Sequence, residues 1–501
     1  MKTDRFYLDS FIVTISNLVT GIVGFGFSIV LSRNLGTEGL GLYGLIMPVY
    51  MMFLGIGSDG LVSAVSRITA VYCSRKDTRN INRSMSTIFA FIAMWSTSIA
   101  LLVFIGSPFI STHLIRDARS LTALKVMCPA LLFVPLSAIL KGYFYGTGKF
   151  KITALTDILE KVLRVSALIF IISMLSLNSI SATVAAAYSA LSLGEFASFS
   201  ILFGIYSIYR KHRYTSVHRV QNRLQLLFNI LAISSPLWLN GLLSSLISMA
   251  STLVLPGRLA SAGFLHEDAL SLIGKFMGMA LNITGFPSII IGSISIVLIP
   301  DLSISSSKNN FWEVEGRILQ VLKISVLAGI ATLAVCLSIP DDLGRIFYNR
   351  SDLGSYIRFA AISSLFGFIA SPTIGILNGL GKQNILLRNS LIVSLQGLLL
   401  VYMLAGIPSI NIYGCGISMI LTSLTLLALN IHEIRKICTI EFPLRDAVVY
   451  CITGIAAYLV LKIMTGILPD TLLLLKTTAV ILAGFSLVFL MPGIAGKRIS
   501  G

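Results

Sequence analysis

A dozen charged side chains fall in or beside long apolar stretches of this 501-residue chain, where a charge is costly without a use. The basic ones are Arg33, Arg67, Lys161 and Arg164 in the first half and Arg258, Lys275, Lys323 and Arg358 in the second. The acidic ones, Asp59, Asp157, Glu160 and Glu195, all lie in the first half. Guanidinium and ammonium groups in a low-dielectric setting bind phosphate strongly, arginine in bidentate fashion. Arg33, Arg67, Arg164, Arg258 and Lys275, with the uncharged Asn282, are therefore candidates to line a cationic, phosphate-binding cleft. Asn240 and Gln396 are further polar companions. An intramembrane carboxylate can take up a proton or a cation, which makes Asp59, Glu160 and Glu195 candidates for a coupling ion. Asp59 and Glu195 have no basic residue three or four positions away. Plainer roles compete with these. Arg33, Arg258 and Lys275 sit near span ends, where snorkelling to headgroups also accounts for them. Arg67 lies beside a basic loop as an anchor would, and Glu160 and Arg164, four apart, suit an intrahelical pair.

Composition defines the elements that must carry these residues. Hydrophobic residues make up 55% of the chain and charged residues 12%, about half the charge of soluble domains. Apolar stretches long enough to cross a ~30 Å hydrocarbon core recur throughout. In lipid they must be helices, because every backbone N–H and C=O has to be satisfied within its own segment. Fourteen are expected, at 8–32, 40–66, 85–106, 120–140, 152–175, 182–209, 225–255, 268–299, 318–339, 355–378, 385–406, 411–434, 445–466 and 470–491. The expected fold class is an all-α polytopic membrane protein. With the first terminus inside, the even-numbered connections and the two ends carry 23 Lys and Arg, and the opposite connections six. That asymmetry obeys the positive-inside rule and places both termini in the cytoplasm. The net charge of +17 is accordingly read as topology and contact with anionic lipid, not as nucleic-acid binding. The first apolar run is too long for a signal-peptide core, so the first span is expected to be retained.

The pattern G-x-x-x-G-x-G-K occurs twice, as Gly142, Gly146, Gly148 and Lys149 and as Gly375, Gly379, Gly381 and Lys382, at a constant offset of 233 residues. The copies close spans 4 and 10. Six intervening spans put both on the same side, which predicts two parallel six-helix lobes related by an axis along the membrane normal. The expected divisions are an N-lobe over 1–220, a C-lobe over 221–440, and two extra helices with a tail over 441–501. The motif is not a Walker loop, since Phe150 and Gln383 stand where Ser or Thr would follow the Gly-Lys. Close helix packing and a tight turn are its expected role.

Six scattered cysteines without a C-x-x-C pair suit neither a disulfide framework nor a zinc site. His113, His266 and the Asp341-Asp342 pair lack metal-ligand spacing. Connections of no more than about 20 residues leave no room for a soluble catalytic domain. The expectation is a protein that is not an enzyme and has no cofactor, with coupling to a proton, sodium or the membrane potential. A membrane glycosyltransferase would instead need carboxylates and a metal in sizeable outer loops.

The run Leu31-Ser-Arg-Asn-Leu-Gly-Thr-Glu-Gly-Leu-Gly-Leu-Tyr-Gly-Leu-Ile-Met-Pro48, followed by Gly60-Leu-Val-Ser-Ala-Val-Ser-Arg67, resembles the stage V sporulation protein B family of polysaccharide-type exporters. That family belongs to the multidrug/oligosaccharidyl-lipid/polysaccharide superfamily, which also holds the lipid II flippases. The run from Val254 through Lys275, Asn282 and Pro287 to Pro300, and the two Gly-x-Gly-Lys corners, are similar to the same family. Asp59 stands where a small uncharged residue is more usual. The resemblance implies a two-lobed flippase of the cell membrane that works by alternating access. Its implied substrate is an undecaprenyl-linked saccharide, a peptidoglycan precursor for spore cortex, and cell-wall synthases are its implied partners. A multidrug or cation antiporter of the same superfamily, and a non-transporting scaffold of envelope synthesis, are the competing functions.

Overall fold

The structure is a computed structural model that describes residues 2–75, 77–175, 179–210, 222–294, 302, 311–438, 444–467 and 473–499. The described secondary structure is helical throughout. The chain divides into two compact units, Met1–Leu253 and Val254–Gly501.

The first unit contains α1 (Lys2–Ser58), α2 (Leu61–Ser74), α3 (Thr78–Phe109), α4 (Leu121–Gly146), α5 (Phe150–Leu175), α6 (Ile180–Arg210) and the first part of α7 (Arg223–Ser261). α1 bends at Gly36, whose φ of 68° breaks the helical run. α4 is the central helix, packed against α2, α3 and α6, while α5 packs on α1 and α6. Leu61, Val65, Ile88, Leu140, Phe144 and Leu202 form much of the core, and Leu226 and Ile230 of α7 are buried with them.

The second unit contains α8 (His266–Gly285), which includes a π-helical stretch at Gly274–Ala280, and a short helix α9 (Ser288–Ile294) bent from it by 53°. It continues with α10 (Phe311–Ser338), α11 (Pro340–Tyr348), α12 (Gly354–Gly379), α13 (Gln383–Leu404), α14 (Tyr413–Arg435), α15 (Leu444–Ile467) and α16 (Leu473–Ile499). The pairings of the first unit recur: α12 packs on α10 and α14 as α4 does on α3 and α6, and α13 packs on α14 as α5 does on α6.

The two G-x-x-x-G-x-G-K segments form the same corner bond for bond. Lys149 N donates to Phe144 O at 2.8 Å and Gly148 N to Tyr145 O at 3.0 Å; Lys382 N donates to Leu377 O at 2.9 Å and Gly381 N to Asn378 O at 3.1 Å. This is a Schellman closure, which needs a left-handed residue just past the helix end. Gly148 (φ 73°) and Gly381 (φ 72°) supply it. Gly142 and Gly146 lay α4 directly on the α2 backbone.

Among the described residues, eleven helices are long and apolar enough to cross a membrane, or twelve with the bent α8–α9 pair counted as one span, where fourteen spans are expected from the sequence. The difference in count has physical causes. Spans 1 and 2 run together as one segment, Val13–Ser74, and α5 carries Lys151, Asp157, Glu160, Lys161 and Arg164 within one helix. Span 8 is broken, and its expected end, with Leu298 and Pro300, lies outside the described residues. The expected division points at 220 and 440 also lie outside them. The boundary between the two compact units lies inside α7, whose Leu226 and Ile230 bury their side chains in the first core. α15 and α16 pack on α10 and so belong to the second unit.

Candidate functional site

In the first unit, α5 places Asp157, Glu160, Lys161 and Arg164 within two turns, and α6 brings Glu195 to them. Gly194 permits that approach: a Cβ there would stand 3.3 Å from both Arg164 Cβ and Glu160 O. One Arg164 terminal nitrogen donates to Glu160 Oε1 at 2.6 Å and to Glu195 Oε1 at 2.7 Å. Lys161 Nζ donates to Glu160 Oε1 at 3.0 Å, and Lys141 on α4 pairs with Asp157 at 2.6 Å. Three cations and three carboxylates balance in the interior of a membrane helix bundle, which relieves the cost of burying each. Arg164 Nε is buried with no hydrogen-bond partner among the described residues.

The structure thus gathers three expected site residues, Glu160, Arg164 and Glu195, into one network. The intrahelical Glu160–Arg164 pair is present, and Glu195, isolated along the sequence, finds Arg164 on the neighbouring helix. Two carboxylates that share one guanidinium form a device with two arrangements. A proton or cation taken up by one carboxylate leaves the arginine to the other. Arg33 and Arg67 are exposed on α1 and α2, and Arg67 makes no ion pair with a described residue.

In the second unit, Lys275 lies on the π-helical stretch of α8, and its Nζ sits 2.8 Å from Asp352 Oδ2 in the α11–α12 connection. Arg350 holds the same carboxylate through two hydrogen bonds of 2.8 and 2.9 Å. The Arg350 bonds, with Lys275 adding, keep the Asp352 carboxyl well below the usual carboxylate range. The contribution of this pairing is therefore present above ordinary carboxylate pKa values and is lost only as pH falls through the lower folded value. Asp352→Asn is expected to change stability by no more than ~1 kcal/mol, because the carboxylate side chain is 41% exposed and solvent screens the pair. Its visible effect should be a freed Lys275, measured as faster labelling by an amine-reactive reagent; unchanged labelling would show that the pair does not restrain the lysine.

Arg258 Nε donates to Tyr402 O at 2.8 Å, and its guanidinium stacks 4.4 Å from the Tyr402 ring centroid. Asn282 donates its amide to the Gly278 carbonyl one turn back. Two features went unread in the sequence. A polar chain that starts at the exposed Arg388 and runs into the interior links Arg388 to Glu433 and Asn389, then Asn389 to Asn430 and Asn430 to Thr373. An apolar cavity of about 630 Å³ lies among α10, α12, α14 and α15, lined by Leu322, Leu333, Leu365, Ile431 and Ile455, with Arg435 at the end of α14.

A family model described as polysaccharide biosynthesis protein matches residues 8–306, more than half of the chain. Among curated proteins, the chain is 24% identical over 451 residues to stage V sporulation protein B of Bacillus subtilis (strain 168), covering 89% of this chain and 86% of that protein. It is 21% identical over 435 residues to sporulation protein YkvU of the same organism, covering 86% and 96%. It is 20% identical over 399 residues to that organism's lipid II flippase MurJ, covering 75% and 72%. Among solved structures, an inward closed conformation of a lipid II flippase MurJ superposes with a TM-score of 0.74 at 14% identity, covering 98% of this chain and 99% of the other. An inward-facing multidrug resistance MATE family transporter gives a TM-score of 0.65 at 17% identity, covering 85% and 95%. These two likenesses establish the fold.

Proposed function

Because the chain belongs to the polysaccharide biosynthesis protein family, we propose that it is a flippase that moves an undecaprenyl-pyrophosphate-linked saccharide across the cytoplasmic membrane by alternating access, with both termini in the cytoplasm. The substrate class is a lipid II-like peptidoglycan precursor, its setting is spore-cortex synthesis, and cell-wall synthases are its partners. The observation that carries this reading is the apolar cavity of about 630 Å³ that runs to Arg435. A long prenyl tail needs an apolar channel of that kind, and the pyrophosphate that follows it needs a cation at the channel's end. Further phosphate contacts are assigned to Arg33 and Arg67 in the first unit and to Arg258, Lys275 and Asn282 in the second. Arg164, already shared by two carboxylates, is assigned with Glu160 and Glu195 to ion coupling.

The test is flux. The purified protein in liposomes with labelled lipid II is expected to move the label between leaflets. Arg67→Ala should slow it by about tenfold or more, the loss of one charge-assisted phosphate contact. A folded protein that moves no undecaprenyl-pyrophosphate saccharide under a proton gradient, a sodium gradient or a membrane potential would overturn the proposal and leave a scaffold or an antiporter.

A further inference from the structure

The helical run of α1 and α2 is interrupted at Asp59 and Gly60, where Gly60 adopts φ 76°. The break lies inside an apolar segment, and an ionisable residue at such a position is costly unless it is used. The Asp59 carboxylate makes no hydrogen bond or ion pair to another described residue. It lies against the α7 backbone at Gly241, where an added Cβ would collide with it. Beside Gly55, its Oδ2 and Ser245 Oγ come within 3.1 and 3.5 Å of the place a Cβ would take. Glycines on both sides thus make room for this one carboxylate.

Asp59 borders a cavity of about 280 Å³ whose wall includes Phe91, Trp95 and Trp238. Both indole N–H groups donate to the Ile56 carbonyl, at 3.2 Å from Trp95 and 3.0 Å from Trp238. Each indole has therefore spent its donor on the last turn of α1, leaving aromatic surface and a carboxylate to a ligand. Ser234, also in the wall, has its hydroxyl bonded to Leu231 O at 3.3 Å. This chemistry discriminates among ligands. A phosphate is repelled. A bare metal ion seeks several oxygen ligands, and here most of the wall is carbon. The volume is also that of several waters at ~30 Å³ each. A substituted ammonium satisfies both halves of the site: its charge meets Asp59, and its alkyl groups meet the rings.

We propose that Asp59, Trp95, Trp238 and Phe91 form a binding site for one organic ammonium ion. The site stands apart from the residues assigned to lipid-linked saccharide transport and does not depend on that reading. Two of the chain's three tryptophans flank it, so tryptophan fluorescence of the purified full-length protein in detergent reports its occupancy. Choline is the probe, and its neutral isostere 3,3-dimethylbutan-1-ol is the control. The expected result is a saturable change with choline and none with the alcohol. Asp59→Asn should weaken choline by at least about tenfold. Trp95→Leu, which keeps the charge and removes one wall, should weaken it several-fold and decides the matter if Asp59→Asn does not fold. An equal response to the alcohol, no saturable response, or a response to sodium or acid alone would each overturn the ammonium site.

Discussion

Arg164→Met is expected to cost about 3–5 kcal/mol of stability, the cost of breaking a buried ion network by removing one partner. The substitution leaves Glu160 and Glu195 facing each other, with side chains only 4% and 12% exposed, without the guanidinium that bridges them. Lys161 can compensate only Glu160, through its 3.0 Å contact. A marked fall in the melting temperature of the purified protein in detergent is the readout. Replacing Arg164, Glu160 and Glu195 together by apolar residues of similar volume should restore most of the loss, since a buried ion network is worth little against well-packed carbon. The same two proteins separate structure from function. A stable triple variant that still carries out transport would show that the network serves folding alone. One that is folded and inert to ion gradients would support its assigned part in coupling. If Arg164→Met melts like the parent, the two-carboxylate bridge contributes no stability.

Sequence reading reached the helical membrane class and the repeat because both rest on local patterns. Apolar runs and the Gly-x-Gly-Lys spacing survive whatever the tertiary arrangement, and the turn at Gly148 needs its glycine for a local reason, its φ of 73°. The Glu160–Arg164 pair was legible for the same reason, being one helical turn apart. The Glu195–Arg164 bond was not, because 31 residues separate the partners and nothing in α6 alone says which face meets α5. Asp352 was missed because it lies in a short connection, yet it is what holds Lys275. The apolar cavity near Arg435 is built from four helices, each apolar on every side, so periodicity could not single out its lining. The unit boundary inside α7 likewise depends on where Leu226 and Ile230 bury themselves, which is a tertiary fact.

Gly146→Ala is the second large effect expected, and it tests what the repeated motif is for. A Cβ at Gly146 would stand 2.5 Å from Ser66 O, 2.7 Å from Thr69 Cβ and 3.1 Å from Ala70 N. Two of those three atoms are backbone and cannot swing aside, so the end of α4 must lift from α2. Overpacking of this kind costs about 1–3 kcal/mol, and Gly146→Val should exceed it. Gly142→Ala is expected to behave alike, with Val62 O and Val65 Cβ each 2.9 Å from its added carbon. Gly148→Ala and Gly381→Ala meet no neighbouring atom within 4 Å, so their cost should be only the ~1–2 kcal/mol of a left-handed side-chain residue. The ordering Gly146→Val above Gly148→Ala, read from melting temperatures of the purified variants, would assign the motif to helix contact first and turn second. The reverse order would mean that the turn holds the corner and that α4 can yield against α2. A flux defect in Gly148→Ala or Gly381→Ala without a stability loss would assign the turn a part in movement, a role that close packing alone does not provide.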